Sequence, residues 1–380
     1  MRSTLYEADH EAFRDAARSF MAKHVAPFHA DWERAGIVDR GVWLEAGAQG
    51  LLGTDVPEQY GGGGVADFRY NCVVSEEVTR AGGSGLGFTL HNDVMAPYLL
   101  DLTTEEQKDR WLPPFVRGEM ITAIAMTEPG AGSDLQGLRT VARRDGSDWV
   151  LSGSKTFITN GIHADLVLVV ARTDPGAGSR GFSLLAVERG MPGFERGRNL
   201  DKVGLKAQDT AELFFDEVRV PSENLVGTEG GGFVHLMEKL PQERLSIAVV
   251  AVAAAETVFA LTLEHCKSRT AFGSPIGSFQ HNRFLLAEMA TELEVARTFL
   301  DKAVLEHNAG RLSVQDAAMA KWWTTELQKR VVDSCVQLHG GYGYMLEHPV
   351  ARAYVDARVQ TIYGGTTEVM KEIIGRSLGV

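Results

Sequence analysis

Apolar positions change their period twice along this chain. In the first third, Phe13, Ala16, Ala17, Phe20, Met21 and Val25 recur at three- and four-residue spacing and build one helical face. Pro27 disturbs that helix near its end. Tyr60-Gly61-Gly62-Gly63-Gly64 reads as a loop, because four glycines cannot hold a helix. Thr103-Thr104-Glu105-Glu106 reads as a helix start, with acids at the positive end of the dipole. From about residue 121 the runs become short and β-prone, at 149–153, 166–170, 181–187 and 212–215. Asp145-Gly146, Asn160-Gly161 and Pro175-Gly176 separate them as tight turns, and Pro221 and Gly230-Gly231-Gly232 close the zone. Helical periodicity then returns over 233–266, 284–308 and 313–338, with short links that suggest an antiparallel bundle. The order predicts an α+β multidomain chain: helical over 1–120, all-β over 121–232, helical over 233–380.

Composition narrows the function. Of 380 residues, 44% are hydrophobic and 23% charged, a balance that buries a core. The 38 Lys+Arg against 50 Asp+Glu leave a net charge of −12, which argues against a nucleic-acid partner. Cys72, Cys266 and Cys335 are far apart and form no CxxC, so neither a disulfide framework nor a zinc knuckle is expected, and a reducing compartment is. The longest apolar run, 247–255, falls short of the roughly 18 residues of a membrane span. MRSTLYEADHEAFRD at the start has no apolar signal region, so a cytoplasmic location is expected. The histidines show no metal spacing, and no metal site is expected.

Neither GxGxxG opening a βαβ unit nor GxxxxGK[ST], GxSxG or HExxH occurs. The distinctive segment is Met126-Thr127-Glu128-Pro129-Gly130-Ala131-Gly132-Ser133-Asp134. Backbone N–H groups at Gly130 and Gly132, with the Thr127 and Ser133 hydroxyls, suit a polar, anionic cofactor; alone, the segment reads equally as a tight turn. Phe157-Ile158-Thr159-Asn160-Gly161 follows, adding an aromatic face and a hydroxyl. Arg269-Thr270-Ala271-Phe272-Gly273, Gln280, Gln337-Leu338-His339-Gly340-Gly341-Tyr342-Gly343-Tyr344 and Tyr363-Gly364-Gly365-Thr366-Thr367-Glu368 punctuate the last third. Taken singly, Phe272 and Leu338 are core residues and His339 is a backbone support.

Together and in this order, these segments resemble the flavin-dependent acyl-CoA dehydrogenase family over essentially the whole chain. Leu-Pro-Gln-Glu-Arg-Leu at 240–245 and Gly-Leu-Lys-Ala-Gln-Asp-Thr-Ala-Glu-Leu-Phe-Phe at 204–215 are most similar to its long-chain branch. The resemblance implies an N-terminal helical domain, a middle β-barrel and a C-terminal four-helix bundle. It also implies non-covalent FAD, a homotetramer in which a neighbouring subunit completes each flavin site, and electron-transfer flavoprotein as acceptor.

Dehydrogenating an acyl-CoA removes an α-proton and delivers a β-hydride to flavin N5. The base is a carboxylate whose pKa is raised by a dry pocket. Many family members carry it directly after the tyrosine of the final motif, where this chain has Gly364. By resemblance to the long-chain and isovaleryl branches, Glu243 takes the role, and Gly364 leaves room for it; the bland reading of Glu243 is an ion pair with Arg244 or another base on a helix surface. The resemblance further places Ser133 and Arg244 on the CoA portion, and Gly364 and Gly365 on the thioester, with the Gly364 N–H as oxyanion donor. Met126, Thr127, Gly132, Ser133, Phe157, Ile158 and Thr159 are placed against the flavin; Phe157 stands where tryptophan is frequent. Arg269, Phe272, Gln280, Gln337, Leu338, His339, Gly340 and Gly341 are placed on FAD across a subunit boundary, and Thr366 and Glu368 on FAD at the final motif. Residues 87–99 would close the acyl cavity, with Pro97 either interrupting that helix or marking its end. Medium-to-long acyl chains are expected, with a short branched chain as the alternative. An oxidase and a silent acyl-CoA-binding homologue are the competing classes.

Overall fold

The computed structural model describes residues 4–379. Six helices open the chain: α1 Ala8–Phe20, α2 His29–Ala35, α3 Gly41–Ala48, α4 Phe68–Arg80, α5 Ala96–Asp101 and α6 Glu105–Val116. The apolar face predicted over 13–25 is present, but a π-helical turn, Met21–Val25, continues α1 before Pro27. Ala16 faces outward, and Arg14 takes a buried place on this face, paired with Glu76 at 2.7 Å and Glu77 at 3.1 Å. Thr104 caps α6 in a reciprocal box with Gln107. A second π-helical turn, Leu90–Met95, leads into α5, where Pro97 sits in the first turn.

The middle layer holds β1 Thr122–Ala125, β2 Val141–Asp145, β3 Asp148–Thr159, β4 Leu166–Arg172, β5 Phe182–Glu188, β6 Phe194–Asn199, β7 Thr210–Val220 and β8 Leu225–Val226. They form one mixed sheet in the order β6-β7-β3-β2-β4-β5-β8, with β1 parallel to β4. Alternate residues serve two cores. Leu151, Ile158, Val167, Val169, Leu185 and Leu213 meet inside the curved sheet, while Leu166, Leu168, Leu184 and Ala186 pack outward on Leu99, Leu112, Phe115 and Leu236. The sheet wraps a shared core, as the expected barrel would. Among the described residues no ladder joins β6 to β8, however, so the barrel stays open there.

The last layer has α7 Gly232–Ser268, a hairpin of β9 Thr270–Ala271 and β10 Ser274–Pro275, α8 Gln280–Asn308, α9 Val314–His339, α10 Pro349–Ala357 and α11 Thr367–Ser377. The three predicted long helices are present; two short helices, α10 and α11, pack on α9 in place of a fourth long one. By length and composition α7 alone among the described residues could cross a membrane. It also packs against α9, α4 and α8 and carries the buried pair Glu243 and Arg244, which marks it as the core helix of this layer.

Candidate active site

A cavity of about 860 Å³ opens where the three layers meet. Its walls come from the π-helical turn before α5, the loop after β1, one face of α7 and the turn before α11. Glu243, Arg244, Gly364, Gly365, Met126, Thr127, Gly132, Ser133 and Thr159 all line it. Residues separated by up to 239 positions in sequence thus share one space.

Glu243 is only 6% exposed. Its Oε1 accepts a hydrogen bond from the Tyr98 hydroxyl at 3.0 Å. No ion pair joins it to Arg244 among the described residues, so the bland reading does not hold. Burial pushes its carboxyl up to about 7, outweighing the opposing pull of the Tyr98 hydrogen bond and the Arg244 charge. This is a carboxylate tuned to accept a proton near neutrality.

Opposite lies the turn of Gly364 and Gly365. Gly364 adopts φ +63, and a Cβ there would sit 2.4 Å from Cδ1 of Ile247, one turn beyond Glu243 on α7. A side chain would therefore be strained and would press on the wall that carries Glu243. Arg244 Nε donates to the Gly364 carbonyl at 3.4 Å, and the buried Lys321 of α9 donates from Nζ to the Gly365 carbonyl at 2.7 Å. Burial holds the Lys321 ammonium down at about 8. Arg244, assigned to the CoA portion by resemblance, lies buried at the inner wall and ties α7 to this turn.

The loop after β1 is braced from beneath. Glu128 accepts from the Arg139 and Thr140 N–H groups and from Lys155 Nζ at 2.8 Å, and Lys155 also donates to the Met126 carbonyl. The Thr156 N–H bonds to the Thr127 carbonyl at 2.9 Å, which joins this loop to β3. The pairing of β3 with β7 shifts register between Lys155 and Ile158. Phe157 sits in that bulge at φ +61, its ring 67% exposed. The Ile158 side chain points the other way, into the sheet's core at 3% exposure.

The remaining predicted residues lie outside the cavity. Arg269, Phe272 and Gln280 cluster about the β9–β10 hairpin, where Phe272 is 97% exposed. Gln337, Gly340 and Gly341 are exposed at the end of α9, and Leu338 packs partly on the bundle core. His339 is buried, donates from Nδ1 to the Cys335 carbonyl and stacks on His265 at 4.2 Å. Thr366 caps α11. Glu368 is exposed in the first turn of α11, and a hydrogen bond from its own backbone holds its carboxyl below the ordinary value. Of residues 87–99, only 87, 89, 90 and 94 reach the cavity; Tyr98 lies behind Glu243.

Family models for the acyl-CoA dehydrogenase N-terminal, middle and C-terminal domains match residues 7–119, 123–218 and 230–379. The chain belongs to the acyl-CoA dehydrogenase family. It is 51% identical over 376 residues to the long-chain specific acyl-CoA dehydrogenase of pig (Sus scrofa) mitochondria, covering 98% of this chain and 87% of that one. The acyl-CoA dehydrogenase structure from Geobacillus kaustophilus superposes with a TM-score of 0.98 at 53% identity, covering all of both chains. A Mycobacterium smegmatis glutaryl-CoA dehydrogenase solved with FADH2 superposes with a TM-score of 0.91 at 28% identity, over 98% of this chain and 95% of that one. This acyl-CoA dehydrogenase is an FAD enzyme, and the residues beside β1 and β3 fit the cofactor. Phe157 offers a flat exposed ring, Thr127 and Thr159 offer hydroxyls, and no neighbour within 4 Å crowds a Cβ built on Gly130.

Proposed function

We propose that this acyl-CoA dehydrogenase acts on medium-to-long-chain acyl-CoA, with Glu243 as the base that removes the α-proton. The observation that carries the reading is a buried glutamate, its carboxyl pushed up to about 7, that lines the cavity beside a turn where Gly364 carries no side chain. Bound FAD supplies the acceptor for the β-hydride. The α-C–H bond breaks as a Glu243 carboxylate oxygen takes the proton to form O–H, and the helix α7 holds that oxygen at the wall. The Gly364 N–H stabilises negative charge gathering on the thioester carbonyl. Met126, Thr127, Gly132, Ser133, Phe157 and Thr159 hold the cofactor from this subunit; the exposed Arg269, Phe272, Gln280, Gln337, Gly340 and Gly341, with Leu338 and the buried His339 beneath them, reach the cofactor of a neighbouring copy in a homotetramer. Thr366 and Glu368 complete its contacts at the head of α11. Electrons leave to electron-transfer flavoprotein, placing the enzyme in fatty-acid β-oxidation. All three cysteines are free and buried, in keeping with a cytoplasmic location.

Chain length is supported by α7. Ile247, Val250, Ala254, Val258 and Leu261 continue the face of Glu243 along the cavity wall. From Ile247 to Leu261 are fourteen steps of about 1.5 Å, an apolar track about 21 Å long, more than a short branched acyl group needs. Anaerobic flavin bleaching by a series of acyl-CoAs tests this: the rate should be highest with medium and long straight chains. A maximum at isovaleryl-CoA would overturn it, and rapid reoxidation by air would mark an oxidase.

A further inference from the structure

The segment behind Glu243 is built around a proline. Pro97 has no N–H to give to the carbonyl of Asp93 four residues earlier. That carbonyl instead accepts from Gln242 Nε2 at 2.8 Å. The Asp93 carboxyl accepts from Ser246 Oγ and, at 3.0 Å, from Asn71 Nδ2. One turn further on, Tyr98 bonds Glu243. Two residues of one short segment thus grip three residues of α7, 242, 243 and 246, which lie within little more than a turn. π-Helical turns of the kind that precedes Pro97 recur at functional sites.

We propose that Tyr98 is a positioning residue that aims the Glu243 carboxylate and sets its proton affinity, acting from outside the cavity. This rests on the reading of Glu243 as the base. The Tyr98 ring is fully buried and is not part of the cavity wall, so it has no direct contact to offer a substrate. Its hydroxyl occupies Oε1, leaving Oε2 as the oxygen open to the acyl α-carbon. Burial holds the phenol well above its ordinary value, so it stays a donor through the working range. A donor bonded to a carboxylate favours the ionised form, which opposes the effect of burial. The other charged groups nearby are Arg244 on α7, Lys321 on α9 and Asp93 on the π-helical turn; none of them bonds the Glu243 carboxyl. Burial pushes Asp93 up to about 7 as well, so a single pH profile does not separate the two carboxyls. Changes at the Tyr98 hydroxyl do, because only Glu243 receives its proton.

The test is anaerobic single-turnover flavin reduction of the holoenzyme across pH, with one straight-chain acyl-CoA. In the wild type the rate rises with pH as Glu243 ionises. Tyr98→Phe should move that midpoint up by about one pH unit or more, as expected for losing a hydrogen bond to a charged group. Replacing Tyr98 by 3,5-difluorotyrosine, a near-isosteric and stronger donor, should move it down. A merely structural role would not shift the profile in opposite directions. If Tyr98→Phe fails to hold flavin, the difluorotyrosine enzyme still decides. Should both variants keep the wild-type midpoint, or both shift the same way, while Glu243→Gln is inactive, the role of Tyr98 is overturned and the base stands. Normal reduction by Glu243→Gln would remove both.

Discussion

A base that takes a proton from carbon has to be dry enough to want it and open enough to reach it. Glu243 meets the first condition through burial and the second by lining the cavity. The same burial weighs on folding. Its carboxyl sits at about 7 in the folded chain, against an ordinary 4.5 when unfolded. Stability is therefore undiminished below about pH 4.5 and falls as pH rises toward 7, by at most about 3 kcal/mol. Glu243→Gln has no such term and can still accept from Tyr98. Its melting temperature should exceed that of the wild-type holoenzyme at pH 8, with the gap closing toward pH 4.5. A variant less stable than the wild type at pH 8 would contradict a destabilised, desolvated carboxylate.

Two elements share the site, α7 and the turn before α11, and we expect the placement of the base to be exchangeable between them. In Gly364→Glu with Glu243→Gly the carboxylate would arrive from the turn. We expect partial recovery of flavin reduction relative to Glu243→Gly alone, with two penalties. A non-glycine residue at φ +63 costs about 1–2 kcal/mol, and its Cβ meets Ile247, so adding Ile247→Ala should improve the rescue. Single-turnover reduction of these variants is the check; a double variant no faster than Glu243→Gly, with flavin and substrate bound, removes the shared-position argument. Elements with a plain period were legible from sequence: the three long helices, the Thr104 cap and four of the strands. β1 was not, because Thr122–Ala125 is buried on both faces and shows no alternation, nor was β2, which is largely charged. Glu243 and Gly364 stand out in the sequence as a coupled pair within a family pattern, and both line the cavity. Tyr98, 145 positions from its partner, and Lys321, within a long helix, carry no local signal, since only the packing of α5 and α9 on α7 gives them a task. At 157–158 the strand alternation turns the Phe157 side chain outward and the Ile158 side chain into the core.

On the proposed function, the cavity residues would supply one half of a flavin site, and the exposed hairpin and α9 terminus would supply the other half to a second copy. Phe272, Tyr342 and Tyr344 leave a strongly aromatic surface there. A ligand held by two subunits stabilises their association by mass action. Arg269→Ala should therefore lose flavin and shift to smaller species by light scattering together; a fully flavinated, active monomer would exclude the shared site. The central claim is that one buried glutamate on α7 performs the proton abstraction. It is tested most directly by anaerobic stopped-flow reduction of the flavin in Glu243→Gln, under saturating acyl-CoA. Bound flavin and bound substrate should persist while the reduction rate falls by about 10²–10⁴-fold or more, because the amide cannot accept the α-proton. Reduction at the wild-type rate would contradict the account.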